Sequence, residues 1–306
     1  MTTGVVVMSY GTPGDRDAVA AFYTDVRRGR PPSPEQLAEL ERRYDAIGGL
    51  SPLTARSAAQ VEGIRDALEE LAPGHFLVRY GTKHGAPKIE EAVDELVGAG
   101  VESLVGVVLA PHFSALSVGE YLQRVEARAA EHSINGVGKV ERFGEEPALI
   151  ELLAARVHEA LDSLGTPRER TQVLFSAHSL PARIVEMRDP YPAELAATAR
   201  LVAGALGLDA FRNVWQSASP TSEPWLGPDI SEVLTELAAE GTTGVVVCPA
   251  GFTSDHLEVL YDIEIVARRR AEELGLSFTR TPSLNDEPAL MRCLARLVQG
   301  ADPGRN

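Results

Sequence analysis

A histidine stands at the end of an apolar segment in the second half of the chain. Residues 171–177, TQVLFSA, predict a buried β-strand, and His178 follows directly, with Pro181 close behind. Side chains at the carboxyl ends of parallel strands are placed to bind ligands and to do chemistry. A neutral imidazole can bind a transition metal or accept a proton near neutral pH. His178 is therefore a candidate catalytic residue, and the alternative is a polar residue satisfied at a strand end.

Two carboxylates follow another apolar segment, within GFTSDHLEVLYD at residues 251–262. Glu258 and Asp262 are four residues apart, so a helix places them on one face. Such a pair either lies on a solvated face or binds a cation. Asp255 and Glu258 also fit a helix capping box, in which case Glu258 has a structural role only. Both interpretations stay open from the sequence.

Short apolar runs alternate with longer helical patterns along the whole chain. This alternation predicts parallel sheets with crossover helices, an α/β fold. Because the runs are continuously apolar, we expect each sheet to be covered on both faces. The eight runs are residues 4–8, 75–80, 103–110, 139–143, 172–177, 211–216, 244–250 and 276–280.

The sequence contains an internal repeat. GVVLAPHFS at 106–114 resembles GVVVCPAGFTS at 244–254, and EEPALIELLAARV at 145–157 resembles DEPALMRCLARLV at 286–298. We therefore predict two similar Rossmann-like halves, residues 1–146 and 147–306, with the C-terminal helix packing back on the first half. Ligands of such folds bind beyond the carboxyl ends of the strands, so we expect the active-site cleft between the halves. Tyr10, which ends the first strand, would then face His178.

The first crossover is longer than its counterpart in the second half. Tyr10 and Tyr80 are 70 residues apart, whereas His178 and Trp215 are 37 apart. We assign the excess to an insertion over about residues 14–55. Five arginines cluster within its residues 25–53, in an acidic chain. Guanidinium groups pair well with carboxylates, so an anion-binding role is at least as well supported as a solvated face. These arginines are Arg27, Arg28, Arg30, Arg42 and Arg43.

Composition excludes several classes of function. The 306 residues are 44% hydrophobic and carry a formal net charge of −15, whereas nucleic acids and anionic membranes select basic surfaces. The two cysteines, Cys248 and Cys293, cannot supply the four thiolates of an iron–sulfur cluster. The N-terminus lacks the features of a signal peptide and no apolar run is long enough to span a bilayer. We therefore expect a cytoplasmic protein with no membrane or nucleic-acid partner.

Seven segments, in the same order and over nearly the whole chain, resemble the ferrochelatase family. The resemblance implies a lyase that inserts Fe²⁺ into a porphyrin in heme biosynthesis. Chain length resembles that of the soluble bacterial branch, whose substrate is coproporphyrin III and whose product is coproheme. Fe²⁺ is then a substrate, and no tightly bound cofactor is expected. The segments are SYGTP (9–13), VRRGRPPSPE (26–35), RYDAIGGLSPL (43–53), LAPHFSALSVGEY (109–121), FSAHSLP (175–181), WQSASP (215–220) and GFTSDHLEVLYD (251–262).

The same resemblance implies roles for individual residues. His178 and Glu258 would handle the metal and the pyrrole protons from one side of the porphyrin. Tyr10 would face the other side, where its hydroxyl can bind the product iron. The residues implied to hold the macrocycle and its carboxylates are Tyr10, Arg27, Arg43, Tyr44, Ser51 and Tyr121.

The sequence departs from the family where a further acid often continues the row of Glu258 and Asp262, since Val266 stands there. An outer metal site is therefore not expected. The alternatives are a protoporphyrin IX ferrochelatase, a cobalt or nickel chelatase for another tetrapyrrole, and a non-catalytic porphyrin or heme carrier. A carrier has no need of His178 and Glu258. We expect a monomer in transient contact with the upstream and downstream enzymes of the heme pathway.

Overall fold

Eight β-strands form two parallel four-stranded sheets in the computed structural model, which describes residues 2–305. The strands are β1 (Thr3–Ser9), β2 (Phe76–Thr82), β3 (Ser103–Val108), β4 (Val137–Val140), β5 (Thr171–His178), β6 (Phe211–Gln216), β7 (Gly244–Cys248) and β8 (Ser277–Arg280). The strand order is β2-β1-β3-β4 in one sheet and β6-β5-β7-β8 in the other. The prediction of an α/β fold with two similar halves is confirmed.

Helices connect the strands and cover both sheets. They are α1 (Val19–Val26), α2 (Pro34–Ala46), α3 (Leu53–Leu71), α4 (Ile89–Gly98), α5 (Val118–Glu131), α6 (Pro147–Leu164), α7 (Arg183–Glu186), α8 (Tyr191–Leu206), α9 (Ile230–Ala239), a π-helix (Val259–Ala267), α10 (Arg268–Glu273) and α11 (Pro288–Gly300). The insertion contributes α1 and α2. Within the described residues, no helix has both the length and the apolar character needed to cross a bilayer.

Strand β1 shows why its sheet must be covered on both faces. Successive side chains of a strand point to opposite faces, and here both sets are fully buried. Val5 and Val7 belong to a core cluster that includes α3 and α11. Val6 and Met8 pack in a separate cluster with α4 and α5. Strand β1 lies between β2 and β3 in the middle of its sheet, with Tyr10 directly after its carboxyl end.

Helices α6 and α11 are exchanged between the halves. Helix α6 follows β4 of the first sheet but packs on α8, β7 and β8 of the second half. Helix α11 follows β8 of the second sheet and packs mainly on α3 of the first half. The contact is close at Gly63 of α3, where an added Cβ would lie 2.7 Å from Cγ of Met291. The predicted domain boundary, between residues 146 and 147, falls at the start of α6 and stays a prediction.

A buried carboxylate after α11 joins the end of the chain to the first sheet. Asp302, whose side chain is 0% exposed, accepts a hydrogen bond from Thr3 Oγ1 at 2.8 Å. His75 Nε2 lies 2.7 Å from the other carboxylate oxygen, and the Gly304 amide donates at 2.9 Å. Burial opposes ionisation, but the hydrogen bonds from His75, Gly304 and Thr3 together outweigh it and lower the pKa of the Asp302 carboxyl. The carboxylate therefore joins the segment after α11 to β1 and to the residue before β2.

We expect Asp302→Ala to lower the free energy of unfolding by about 2–3 kcal/mol, because it leaves several buried donors without an acceptor. Urea unfolding monitored by circular dichroism measures this change. Glu62→Ala is the control, since Glu62 is 62% exposed and pairs with Arg65 at the surface; its expected effect is below about 0.5 kcal/mol. Equal effects of the two substitutions would contradict a stabilising role of the buried carboxylate.

Candidate active site

His178 and Glu258 form an ion pair between the end of β5 and the residue before the π-helix. Nε2 of His178 lies 3.3 Å from Oε1 of Glu258, and Nδ1 donates a hydrogen bond to the carbonyl oxygen of Ser179. Burial alone would lower the pKa of His178, but the Glu258 carboxylate outweighs it and raises the pKa to about 9. The side chains are 31% and 35% exposed, so a substrate can still reach the pair.

This geometry refines the expected protonation state of His178. The sequence predicted a neutral imidazole. Both ring nitrogens now face oxygen acceptors, and the Glu258 charge favours the cation, so His178 is an imidazolium at neutral pH. Nε2 therefore becomes a metal ligand only after a proton has left it.

Asp255 does not cap the helix that follows. Its carboxylate accepts hydrogen bonds from Arg280 Nη2 at 3.1 Å, Ser283 Oγ at 2.8 Å and Asn285 Nδ2 at 3.2 Å. The capping-box interpretation of Asp255 and Glu258 is therefore wrong, because the Asp255 carboxylate is hydrogen-bonded to residues of strand β8 and of the loop after it. Glu258 instead pairs with histidine.

Asp262 lies beside the ion pair, on the π-helix. Burial and the nearby charge of Glu258 raise the pKa of Asp262 to about 6. Ser217 Oγ donates a hydrogen bond to its carboxylate, and Nη1 of Arg43 lies 3.9 Å from it. π-Helices are rare and are often found at functional sites. The site thus combines a strongly acidic carboxyl, Glu258, with one that exchanges protons near neutral pH.

Two aromatic neighbours of the pair were not predicted from the sequence. Nε2 of His256 lies 3.5 Å from Oε2 of Glu258, while its Nδ1 is 3.0 Å from the carbonyl oxygen of Ser254. The indole ring of Trp225 lies 6.4 Å from the His178 ring, between centroids. The spacing of His256 and Glu258 in the segment DHLE could have indicated that His256 lies at the site. No sequence pattern around Trp225, which reaches the site from the loop after β6, indicated its position.

Tyr10 reaches the same space from the first half. It ends β1, is 44% exposed, and its ring centroid lies 4.8 Å from that of His84. His84 is held in turn by Asp25, with Nδ1 2.9 Å from Oδ2. Limited hydration within the site, together with the Glu258 charge, raises the pKa of the Tyr10 hydroxyl. The charge of Glu258 therefore acts on Tyr10 across the two halves. That Tyr10 faces His178 stays a prediction.

The insertion over about residues 14–55, hereafter the covering segment, contributes Arg43 and Tyr44 to the site. Arg43 Nε pairs with Glu39 at 3.1 Å, and its guanidinium lies 5.2 Å from the centroid of the Tyr261 ring. Tyr44 is buried, which raises the pKa of its hydroxyl, and the Glu258 charge raises it further. Both residues are thus close to the carboxylates of the site, although Arg43 already has acidic partners.

The other predicted substrate-binding residues are placed differently. Ser51 is buried, and its Oγ accepts a hydrogen bond at 3.2 Å from the amide of Leu257, next to Glu258. Tyr121 is also buried, with Nζ of Lys83 5.2 Å from its ring centroid. Arg27 lies just after α1, its guanidinium 5.6 Å from the centroid of the Tyr23 ring. Within the described residues, Arg27 forms no ion pair and no contact with His178 or Glu258.

The position beyond Asp262 offers little to a second metal ion. Glu264 pairs with Arg280 at 2.7 Å and with Arg268 at 3.1 Å, so its charge is already balanced. Among residues 2–305, no group of three His, Cys, Asp or Glu side chains is arranged to hold a metal ion. A metal at His178 and Glu258 would therefore keep open coordination positions, as a site of transfer requires. The lack of an outer site stays a prediction.

Two solved chelatase structures share this fold. The solved structure of SirB from Bacillus subtilis with Fe³⁺ superposes with a TM-score of 0.64 at 14% identity, covering 100% of this chain and 97% of SirB. The sirohydrochlorin chelatase SirB from Bacillus subtilis subspecies spizizenii, in complex with cobalt, covers 100% of this chain and 98% of its own, with a TM-score of 0.62 at 12% identity. At these identities the likeness establishes the fold alone.

Sequence comparison identifies the family. The family profile described as Ferrochelatase matches residues 2–301. The ferrochelatase of Herpetosiphon aurantiacus is 41% identical over 97% of this chain and 98% of its own length. The coproporphyrin III ferrochelatase of Anoxybacillus flavithermus is 42% identical over 96% of this chain and 95% of its own. The chain belongs to the ferrochelatase family, and the predicted class of enzyme, a metal-chelating lyase, is confirmed.

Proposed function

We propose that this ferrochelatase inserts Fe²⁺ into coproporphyrin III, giving coproheme and two protons, as a step of heme b biosynthesis. The observation that carries the proposal is the His178–Glu258 pair at 3.3 Å, in a chain 42% identical to a coproporphyrin III ferrochelatase. Porphyrin and iron are the substrates of the family. The choice of porphyrin is the finer part of the proposal.

The ion pair would prepare the metal for transfer. Loss of the proton on Nε2 of His178 frees a lone pair, and Glu258 contributes an anionic oxygen 3.3 Å away. Imidazole nitrogen and carboxylate oxygen are both suitable ligands for Fe²⁺. Because only these two side chains would hold the ion, the pyrrole nitrogens can replace them without breaking a closed coordination sphere.

The two pyrrole protons need an acceptor close to the metal path. Glu258 accepts poorly, because its histidine partners hold the pKa of its carboxyl well below the ordinary value even though burial opposes this. Asp262, with a pKa of about 6, is matched to accept a proton and pass it to solvent near neutral pH. We therefore assign the metal to His178 and Glu258 and removal of the first pyrrole proton to Asp262, while Nε2 of His178 can accept the second proton once the metal has left it.

Arginines of the covering segment would hold the edge carboxylates of the porphyrin. The Arg27 guanidinium forms no ion pair among the described residues, although its Nε donates to the Arg30 carbonyl at 3.2 Å, and Arg43 lies 3.9 Å from Asp262. A substrate carboxylate that takes Arg43 from Asp262 would raise the pKa of Asp262 further and make it a better proton acceptor. Coproporphyrin III carries more carboxylates than protoporphyrin IX, so a covering segment rich in arginine favours it.

An anaerobic absorbance time course with Fe²⁺ tests the proposal, run in parallel with coproporphyrin III and protoporphyrin IX. We expect rapid loss of the free-base spectrum with coproporphyrin III and slower loss with protoporphyrin IX. The reverse order would assign the enzyme to protoporphyrin IX. Tight porphyrin binding without metal insertion would indicate a carrier. An enzyme that inserts cobalt or nickel but not iron, and only into another tetrapyrrole, would be a related chelatase.

We expect the enzyme to insert other divalent metals in vitro, at rates within about tenfold of the Fe²⁺ rate. Imidazole and carboxylate do not discriminate strongly between Fe²⁺, Co²⁺ and Zn²⁺. The same absorbance assay with each metal measures the rates. Insertion of Fe²⁺ alone would contradict this expectation and would require a selective element beyond the two ligands.

We further propose that the enzyme works as a monomer without a resident cofactor. Cys248 is buried in β7 and Cys293 in α11, and two thiols cannot complete an iron–sulfur cluster. Contacts with the enzymes before and after it in the pathway would be transient, for delivery of porphyrin and removal of product. Sedimentation velocity and iron analysis of the purified protein test these two statements.

A further inference from the structure

We propose that Tyr191 is a positioning residue for His178 and that the carboxylate of Asp189 holds Tyr191 in place. The inference deepens the proposed function, because it rests on His178 as the metal-handling residue. Tyr191 is the first residue of α8 and is buried. Its hydroxyl donates a hydrogen bond of 3.0 Å to the main-chain carbonyl of His178.

The peptide unit that follows His178 is held from several directions. The amide of Ser179 donates to the carbonyl of Gln216 at 2.7 Å, and Ser179 Oγ donates to the carbonyl of Leu226 at 2.8 Å. Tyr191 supplies the remaining bond, to the carbonyl oxygen of the same unit. The peptide therefore has little freedom to rotate.

The orientation of the imidazole depends on this peptide. Nδ1 of His178 donates to the carbonyl oxygen of Ser179, which belongs to the next peptide unit, so the ring follows the main chain of residues 178–180. With Nδ1 fixed, Nε2 is directed at Glu258, 3.3 Å away. A rotated peptide would turn Nε2 away from the carboxylate and separate the two metal ligands.

Asp189 connects Tyr191 to the other half of the molecule. One oxygen of its carboxylate accepts the amide of Tyr191 at 3.0 Å. The other accepts Ser114 Oγ at 3.0 Å and the amide of Ala115 at 2.8 Å. Ser114 and Ala115 belong to the loop between β3 and α5, in the first half. A single carboxylate thus joins the residue that holds His178 to the opposite side of the site.

Neighbouring residues extend this contact. The amide of Phe113 donates to Glu194 Oε2 at 2.7 Å, and Nε2 of His112 lies 2.8 Å from Oγ1 of Thr198. Four consecutive residues of the first half, 112–115, are therefore bonded to side chains of the second. Helix α5, which carries Tyr121, begins three residues later. We infer that the contacts of residues 112–115 set the distance between the two halves at the site.

The hydroxyl of Tyr191 can be separated from the packing of its ring. The ring lies against Trp215, with centroids 5.5 Å apart, and this contact survives in a phenylalanine. Burial and the nearby charge of Glu258 raise the pKa of the hydroxyl, so it remains a donor throughout the working pH range. Tyr191→Phe thus removes the hydrogen bond to His178 and little else.

The first test is steady-state and binding kinetics of Tyr191→Phe. We expect kcat for Zn²⁺ insertion into coproporphyrin III to fall about tenfold, with porphyrin Kd in the absence of metal unchanged within about twofold. Tyr80→Phe is the matched control, because the Tyr80 hydroxyl lies 2.6 Å from Ser9 Oγ and is also partly buried. It should cost similar stability and leave kcat within about twofold. Equal losses of kcat in Tyr191→Phe and Tyr80→Phe would show that Tyr191 has a structural role only, and would overturn the proposal.

A second measurement does not depend on activity. With ¹⁵N-histidine labelling and His178→Gln for assignment, NMR follows exchange of the His178 Nδ1 proton with water. We expect this exchange to be about tenfold faster in Tyr191→Phe and in Asp189→Asn than in the parent and Tyr80→Phe. Unchanged exchange in both would refute the positioning role even in a protein that proved inactive. Inactivity of the parent towards coproporphyrin III would refute the proposed function instead.

Discussion

Replacement of His178 by alanine should lower the rate of metal insertion by about a thousandfold while leaving porphyrin binding within about twofold of the parent. The substitution removes both a metal ligand and a group that exchanges protons, and general acid–base groups alone contribute about 10²–10⁴-fold. The porphyrin, in contrast, is held at its edges, by residues such as Arg27 and Arg43. Absorbance assays with Fe²⁺ and fluorescence titration with coproporphyrin III measure the two quantities.

His158→Ala is the matched control for this substitution. His158 lies on α6 with its side chain 58% exposed, beside Asp162, and takes no part in the site. Its loss should leave the insertion rate unchanged within about twofold. A His178→Ala enzyme that keeps a tenth of the parental rate would exclude His178 as the metal-handling residue.

The second large effect is in the pH dependence of insertion. Because the pKa of His178 is raised to about 9, the imidazole is protonated at pH 7 and its Nε2 cannot bind metal. The rate should therefore rise about tenfold per pH unit from pH 7 and become level near pH 9. Single-turnover insertion of Zn²⁺ at low concentration, between pH 6.5 and 9.5, measures the profile. A rate independent of pH in this window would mean that His178 is neutral at rest.

Glu258→Gln provides the control for this profile, since the carboxylate is what raises the His178 pKa. Without it, burial lowers the pKa of His178, so the rise above pH 7 should disappear while the overall rate falls. The stability of the parent should fall over the same pH range in which its insertion rate rises. The pair stabilises the parent fully below about pH 6.5, the ordinary histidine pKa, and this contribution is lost as the pH rises through about 9.

Most of the fold could be predicted from the sequence because its signals are local and repeated. Apolar β-branched runs such as GVVVM and GVVVC give strands that are buried on both faces, and the repeated acid–proline helix starts identify α6 and α11 as equivalent. The ends of β4 were less certain: the prediction was residues 139–143 and the strand is Val137–Val140. Apolar and charged residues alternate there, so strand pairing with β3 decides the ends.

The sequence identified the candidate residues of the site but not their protonation. Only the family resemblance placed His178 and Glu258 together; the structure places them at the carboxyl ends of β5 and β7, which are neighbours in one parallel sheet. The imidazolium state could not be predicted, because it depends on the Glu258 charge acting against burial of the ring and, to a smaller extent, on the contact between Nδ1 and a main-chain carbonyl. The role of Asp255 could not be predicted from the sequence either. Its partners come from residues 280–285, which are distant in sequence and carry no capping signal.

The exchange of α6 and α11 has a consequence for how the protein is made. When the first sheet leaves the ribosome, one face of α3 has no partner, because α11 is synthesised after helices α1–α10. Residues such as Val61 and Ile64 therefore remain partly solvated until residue 300 has left the exit tunnel. Translation of α11 thus completes the core of the half that was made first.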